Sequence, residues 1–113
     1  MAGDLSFWKV KEKINIPNSE IYSALSSGEY LFYIDEIPLN EILKDFNIAF
    51  NDWENHKNNY EKGFEAFQLM ITNQFVRADC SEMTAGNINK IIDILGKYGI
   101  PLYDSCIDVR FEN

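Results

Sequence analysis

The chain has 113 residues, the size of one domain with one hydrophobic core, and 46% of them are hydrophobic and 14% aromatic, which argues against disorder. Ten Lys and Arg residues stand against eighteen Asp and Glu residues, a formal net charge of −8, and this deficit of cations argues against direct binding to nucleic acid or to an anionic membrane. We therefore expect one domain over residues 1–113.

An amino-terminal strand is the first predicted element. Apolar residues alternate with mostly polar ones, which is the period of a strand with one buried face. Pro17 ends this pattern, and the polar residues after it favour a short helix that ends at Gly28. The alternating apolar residues of the strand are Trp8, Val10, Ile14 and Ile16.

A second strand and a longer helix follow. Residues 29–37, EYLFYIDEI, are rich in aromatic and β-branched side chains and predict a largely buried strand closed by Pro38. From Leu39 to Trp53, apolar residues recur at steps of three and four, which predicts an amphipathic helix. Phe46 and Trp53 centre its apolar stripe, so we expect both to be buried.

The second half of the chain is less regular. Residues 54–59 are polar and rich in asparagine, which is typical of a turn. The apolar residues between 60 and 75 predict another helix, but residues 67–72 alternate equally well as a strand, so both states stay open for residues 66–76. Thr84 is a suitable cap for a last helix that ends before Gly99, and alternation from Tyr103 onward predicts a final strand.

The resulting order, β-α-β-α-α-α-β, predicts an α+β fold with a small sheet of about three strands packed against three to four helices. The amino terminus has no continuous apolar segment of signal-peptide length, and no later segment approaches the length of a membrane span. We therefore expect a cytoplasmic protein that does not contact a membrane.

Few residues are available for metal or covalent chemistry. The two cysteines, Cys80 and Cys106, and the single histidine, His56, match no zinc-binding spacing. The six glycines are scattered and form no phosphate-binding loop. We expect both cysteines to be reduced, buried thiols and His56 to be exposed in a turn. The sequence predicts no enzymatic activity, no metal and no cofactor.

One face of the predicted 39–53 helix is acidic. Successive residues lie about 100° apart around a helix axis, so Glu41, Asp45 and Asp52 line up opposite the apolar stripe, and Ile48 lies in the same row. An apolar residue among carboxylates is typical of a protein interface. An ordinary solvated face with one exposed isoleucine gives the same pattern.

Glu61 and Glu65 repeat this four-residue spacing on the next predicted helix. Together with the net charge, the acidic faces favour a non-enzymatic binding or inhibitory protein that neutralises a basic protein partner. A bacterial immunity protein against a nuclease toxin is the most concrete form of this hypothesis, and a phage-encoded inhibitor of a nucleic-acid-binding defence complex is equally compatible with the charge. The predicted partner-binding residues are Glu41, Asp45, Ile48, Asp52, Glu61 and Glu65.

A second hypothesis is a small enzyme or ligand-binding domain with an acidic pocket near Asp35, Asp104 and Asp108. Paired carboxylates can hold Mg²⁺ or divide acid and base roles between them. Carboxylates on a solvated strand face are the more common arrangement. A structural subunit of a larger assembly is a third possibility.

Overall fold

The structure, a computed structural model, describes residues 3–111. Over this range three helices pack against one sheet of seven strands. The helices are α1 (Asn18–Ser26), α2 (Leu39–Ala49) and α3 (Ala85–Gly96). The strands are β1 (Gly3–Phe7), β2 (Glu54–His56), β3 (Asn59–Lys62), β4 (Glu65–Ile71), β5 (Val76–Ser81), β6 (Leu102–Asp104) and β7 (Val109–Phe111).

The strands lie in the order β2-β3-β4-β5-β1-β6-β7, and every neighbouring pair is antiparallel. The predicted sheet of about three strands, with the element order β-α-β-α-α-α-β, is therefore wrong. β1 lies between β5 and β6, so the sheet is completed only when the first strand inserts between two segments from the second half of the chain.

The helices begin close to their predicted positions. α1 begins directly after Pro17, and α3 begins after Thr84, whose Oγ1 accepts a hydrogen bond from the backbone N–H of Asn87 (3.4 Å). α2 ends at Ala49, so Trp53 is buried beyond the end of the helix rather than within it. None of the helices within residues 3–111 has the length and apolar character needed to cross a membrane.

The predicted helix between residues 60 and 75 is wrong, and the strand alternative for residues 66–76 is confirmed in β4. Tyr60 and Phe67 pair across β3 and β4, and their rings stack with centroids 4.7 Å apart. Two residues seven positions apart lie on one face of a helix. They also lie opposite each other in a hairpin when a two-residue turn is centred between them. Gly63 and Phe64 form this turn, and Gly63 adopts φ +63°, as the first position of a type II′ turn requires.

The polar stretch 54–59 is a hairpin rather than a turn alone. It contains β2, a two-residue turn at Lys57 and Asn58, and the first residue of β3. Both turn residues have positive φ, 52° and 68°, as in a type I′ turn. This turn adds an edge strand where the sequence predicted only a connection.

Residues 29–37 form no strand, and the prediction of a largely buried segment is wrong as well: Ile34 and Ile37 are buried, whereas Tyr30 and Phe32 are 62% and 79% exposed. Ile34 makes only an isolated bridge with Val10. Its neighbours also pair with the segment after β1, since the N–H of Asp35 donates to the carbonyl oxygen of Lys9 (2.7 Å) and the N–H of Lys11 donates to that of Tyr33 (3.0 Å). The buried side chain of Gln74 supplies further partners: its Nε2 donates to the carbonyl oxygens of Leu31 (2.6 Å) and Ile34 (2.9 Å), and its Oε1 accepts from the N–H of Leu31 (2.9 Å).

Both terminal strand predictions need correction. The first strand is β1 and ends at Phe7, so the predicted strand over residues 8–16 is wrong even though Trp8 is fully buried. The final segment reverses direction between β6 and β7, with Asp108 at φ +51°. Because of this reversal, Val109 and Phe111 lie on an edge strand and are 40% and 50% exposed.

The sheet separates two apolar clusters. Leu5 and Phe7 of β1 pack in the larger one with α2 and α3. The alternate positions of β1 point to the other face, where Trp8 packs with Ile21 and Leu25 of α1. Helices therefore cover both faces of the sheet, but α1 is short and covers only part of its face.

Candidate functional site

The sheet face that points away from α2 and α3 is only partly covered. α1 and residues 29–37 pack on it near Trp8 and Tyr103. Side chains alternate between faces along a strand, so the positions between the buried residues of β2 to β5 form a surface that we call the open face. Its exposed polar side chains are Glu54, His56, Glu61, Gln68 and Asp79.

Glu54 and Glu61 lie directly opposite each other in the β2–β3 pair. Side chains at such positions have Cβ atoms about 5 Å apart, and like charges there destabilise a sheet. Glu61 Oε1 accepts a hydrogen bond from Asn59 Nδ2 (3.1 Å), a neutral group that does not cancel the charge. A local cost of this kind is characteristic of functional surfaces.

A concavity of about 370 Å³ adjoins this pair. It is lined by Asp52, Glu54, Glu61, Lys62 and Gly63. The ammonium of Lys62 binds the carboxylate of Asp52, and this hydrogen bond lowers the pKa of Asp52. Both side chains are more than half exposed, so water and salt screen the pair. We call Asp52, Glu54 and Glu61 the acidic edge.

Phe64 lies next to the acidic edge in the chain. It follows Gly63 in the β3–β4 turn, and its side chain is 93% exposed. A large apolar side chain held on a tight turn loses little freedom on binding and can fill a pocket of a partner. Phe64 therefore offers an apolar anchor beside the carboxylates.

Asp45, one of the acidic residues predicted to form a row on α2, makes hydrogen bonds to other residues of the protein. Its Oδ2 accepts hydrogen bonds from the hydroxyl of Tyr98 and from Lys97 Nζ (3.2 Å), and these bonds lower the pKa of Asp45. The same contacts raise the pKa of both donors. Asp45 thus joins α2 to the end of α3.

The other members of the row differ in their surroundings. Glu41 is exposed, and Ile48 is 64% exposed, which confirms the predicted phase of the helix. Asp52 lies beyond the end of α2 and belongs to the acidic edge. Next to Ile48, Asn47 Oδ1 accepts a hydrogen bond from the hydroxyl of Tyr60 (2.8 Å), so this end of α2 is held against the strands that carry the acidic edge.

Glu61 and Glu65 do not share a helix face, because they lie on β3 and β4. Glu65 Oε1 accepts hydrogen bonds from the backbone N–H of Thr84 (2.8 Å) and from Asn87 Nδ2 (2.9 Å) at the start of α3. The bond from Asn87 and the bond from Thr84 lower the pKa of Glu65. Glu65 therefore caps α3, and Glu61 remains on the open face.

The carboxylates of the second hypothesis have separate surroundings. Asp104 Oδ1 accepts a hydrogen bond from the backbone of the following turn, and Asp108 Oδ1 accepts one from the hydroxyl of Tyr103 (2.8 Å). Burial and the bond to Asp108 raise the pKa of Tyr103 to about 12. Asp35 lies in the 29–37 segment. Within residues 3–111, no three His, Cys, Asp or Glu side chains are placed to hold a metal ion.

The cysteines and the histidine differ in exposure. Cys80 is buried, whereas Cys106 is exposed, so the prediction that both are buried is wrong for Cys106. Burial, reinforced by the carboxylate of Asp79, raises the pKa of the Cys80 thiol to about 11, which makes it a poor nucleophile at neutral pH. His56 is exposed as predicted, but it lies in β2 on the open face.

The predicted site omitted Glu54, Gln68, Asp79 and Phe64. Asp79 forms an ion pair with Arg77: Arg77 Nη2 donates a hydrogen bond to Oδ2 (3.2 Å), and Nε lies 3.1 Å from Oδ1. A signal for this strand was present, because the segment VRADCS of β5 alternates strictly between buried apolar and more exposed polar residues. Because residues 60–75 were interpreted as a helix, the sheet in which β3 and β4 form the open face together with β2 and β5 was not predicted.

Carboxylates on an exposed sheet face can accept charge-assisted hydrogen bonds from Lys and Arg side chains. The acidic edge and the open face are therefore suited to contact with a cationic protein surface. No protein-family model matches the chain, and no curated protein is significantly similar to it in sequence.

Proposed function

We propose that the protein is a non-enzymatic inhibitor that binds a basic protein partner through the acidic edge and the adjoining open face. In its most concrete form the partner is a nuclease toxin, and the protein is the immunity protein that neutralises it. The observation that carries the proposal is the Glu54–Glu61 pair, two carboxylates held opposite each other at the rim of an acidic concavity.

Electrostatics supports this assignment. The pair raises the free energy of the unbound protein, and a Lys or Arg side chain placed between the two carboxylates removes that cost on binding. A nuclease presents cations where it binds phosphates. An inhibitor with a net charge of −8 is attracted to such a surface and associates quickly with it.

Apolar contacts complete the proposed interface. Phe64 is 93% exposed in the turn beside the acidic edge, and Ile48 is 64% exposed on the end of α2 that is fixed against β2 and β3. Binding energy in protein interfaces is concentrated in a few apolar or aromatic side chains surrounded by polar groups. In this proposal the carboxylates guide association and Phe64 slows dissociation.

The test uses the partner recovered by affinity capture and purified, with both rate constants measured at low and at high salt. Glu54→Lys and Glu61→Lys should each slow association about tenfold at low salt and much less at high salt, because exposed charges are screened. Phe64→Ala should instead speed dissociation at both salt concentrations. A nuclease partner should also lose its activity when the inhibitor is added.

Asp93→Lys is the matched control, since Asp93 is exposed on α3, on the other side of the sheet, and the substitution changes the net charge equally. Glu54→Gln should weaken binding while raising the free energy of unfolding by a few tenths of a kcal/mol, because it removes the like-charge repulsion. If Asp93→Lys slows association as much as Glu61→Lys, only net charge matters and the proposed interface is wrong.

A further inference from the structure

A concavity of about 580 Å³ lies at the β7 end of the sheet, where the segment after β1, the end of α3 and strands β6 and β7 meet. Its volume is within the range of small-molecule binding sites, about 300–1,000 Å³. The walls are mainly aliphatic and aromatic. The apolar residues that form them are Val10, Ile92, Ile100, Pro101, Leu102 and Phe111.

In the part of the chain that the structure describes, the charged residues that line this concavity are both cations, Lys9 and Arg110, in a chain with eighteen acidic and ten basic residues. A methyl group built on Gly99 would lie 3.8 Å from Lys9 Nζ, so the ammonium extends over the glycine that lines the same concavity. Among residues 3–111, no carboxylate forms an ion pair with Lys9. The ammonium can therefore pair with an anionic ligand.

Arg110 is held in place before any ligand binds. Its Nη2 donates a hydrogen bond to the backbone carbonyl oxygen of Trp8 (2.6 Å). Its guanidinium carbon lies 5.3 Å from the centre of the Trp8 ring, a cation–π contact. An arginine fixed in this way loses little side-chain entropy when it binds an anion.

We propose that this concavity binds a small amphipathic monocarboxylate, with the apolar body of the ligand against Ile92, Ile100 and Leu102 and its carboxylate on Lys9 and Arg110. Apolar walls together with the ammonium of Lys9, with which no carboxylate among residues 3–111 forms an ion pair, favour this class over neutral apolar molecules and over small polar anions. The site lies at the opposite end of the sheet from the acidic edge, so it does not depend on the proposed inhibitor function.

Calorimetric titration of the full chain with octanoate tests the proposal, with octanol and acetate as the two partial ligands. Octanoate should bind saturably, and octanol, which lacks the charge, should bind about tenfold more weakly. Acetate, which lacks the apolar body, should show no saturable binding. Lys9→Gln should weaken octanoate binding about three- to tenfold, and added salt should reduce the difference.

Gly96→Leu provides a steric block. Gly96 lines the concavity at the end of α3, and a Cβ atom built on it meets no atom within 4 Å. The first atom of the new side chain therefore fits, and we expect the rest of the leucine to occupy ligand space. The substitution should abolish octanoate binding while circular dichroism shows an unchanged fold. Lys57→Asn is the matched loss of charge at the distant β2–β3 turn, where asparagine readily adopts the positive φ of Lys57.

Three results would overturn the proposal. They are no saturable octanoate binding at millimolar concentration, equal binding of octanol and octanoate, and unchanged binding in Gly96→Leu. Equal weakening by Lys57→Asn and Lys9→Gln would also contradict it, because the effect would then come from net charge alone.

Discussion

The side chain of Gln74 hydrogen-bonds the backbone of the irregular segment 29–37. It is 2% exposed, and its amide makes three hydrogen bonds to the backbone of residues 31–34. Buried backbone groups must be paired. Backbone groups of Lys9, Lys11 and Asn73 pair with residues 33, 35 and 37, and the side chain of Gln74 pairs with Leu31 and Ile34. The aromatic 29–37 segment can therefore lie on the sheet without joining it.

We expect Gln74→Ala to lower the free energy of unfolding by about 2–4 kcal/mol, because it leaves buried N–H and C=O groups without partners. Urea denaturation measures this change. Gln68→Ala is the matched control: Gln68 is exposed on β4, and its loss should change stability by less than about 0.5 kcal/mol. Equal effects of the two substitutions would show that the hydrogen bonds of Gln74 do not stabilise the segment.

At the scale of elements, α2 is shorter than predicted, but its buried and exposed faces are those that the sequence predicts. Phe46 is fully buried and packs against Phe50, Tyr60 and Phe67, with ring centroids 6.0–6.4 Å apart. Ile48, two residues further on, is exposed. The apolar stripe has the period of a helix, so the choice of buried face follows from local spacing.

Phe46→Ala should lower the free energy of unfolding by about 3–5 kcal/mol, because it opens a cavity in the larger apolar cluster. Ile48→Ala, on the same helix and also a large-to-small change, should cost less than about 0.5 kcal/mol. Thermal or urea unfolding of the two variants checks the phase of α2. A strongly destabilising Ile48→Ala together with a tolerated Phe46→Ala would mean that the helix is turned the other way.

Hairpins show why the elements between α2 and α3 were harder to predict. Tyr60 and Phe67 are seven residues apart, a spacing that satisfies a helix face and also a strand pair centred on a two-residue turn. The glycine at position 63 resolves the ambiguity in the structure, since it takes a positive φ that other residues adopt with strain. As a result, Phe64, which the helical interpretation placed on the apolar face, is exposed on the turn.

On the scale of the whole molecule, the position of β1 decides the architecture. Leu5 pairs with Ala78 on β5, and Ser6 pairs with Tyr103 on β6, so β1 is bonded on both sides by strands that are distant in sequence. β2 and β7 form the two edges of the sheet. Edge strands have one unpaired side and open more easily than central ones.

Amide hydrogen exchange should therefore be slowest in β1 and β5 and fastest in β2 and β7. Because opening the centre of the sheet requires breaking ladders on both sides, exchange at Leu5 and Ala78 should require most of the global free energy of unfolding. Mass spectrometry or NMR at residue resolution measures these rates. Exchange in β1 as fast as in β7 would contradict the insertion of β1 between β5 and β6.

Local sequence patterns predicted the approximate positions of α1, α2 and α3, the burial of Phe46 and the exposure of Ile48, although they also predicted a helix over residues 60–75 that the structure lacks. A helix closes its hydrogen bonds within four residues and is marked by nearby caps such as Thr84. Composition also determined the acidic character on which the proposed function depends. The sequence placed the acidic residues of α2 on one side of the helix but did not show which of them are available to a partner. In the structure, Asp45 is hydrogen-bonded to Lys97 and Tyr98 after the end of α3.

The tertiary structure alone decided the number of strands, the pairing of Glu54 with Glu61, and the cationic concavity of Lys9 and Arg110. Each of these depends on partners that come from other parts of the chain or across a turn. Strand hydrogen bonds can be made with any exposed ladder, so alternation shows which side chains are buried but not which strands are neighbours. For the same reason, the alternation in residues 29–37 gives no local signal that Gln74, 40 or more residues away, hydrogen-bonds the backbone of Leu31 and Ile34.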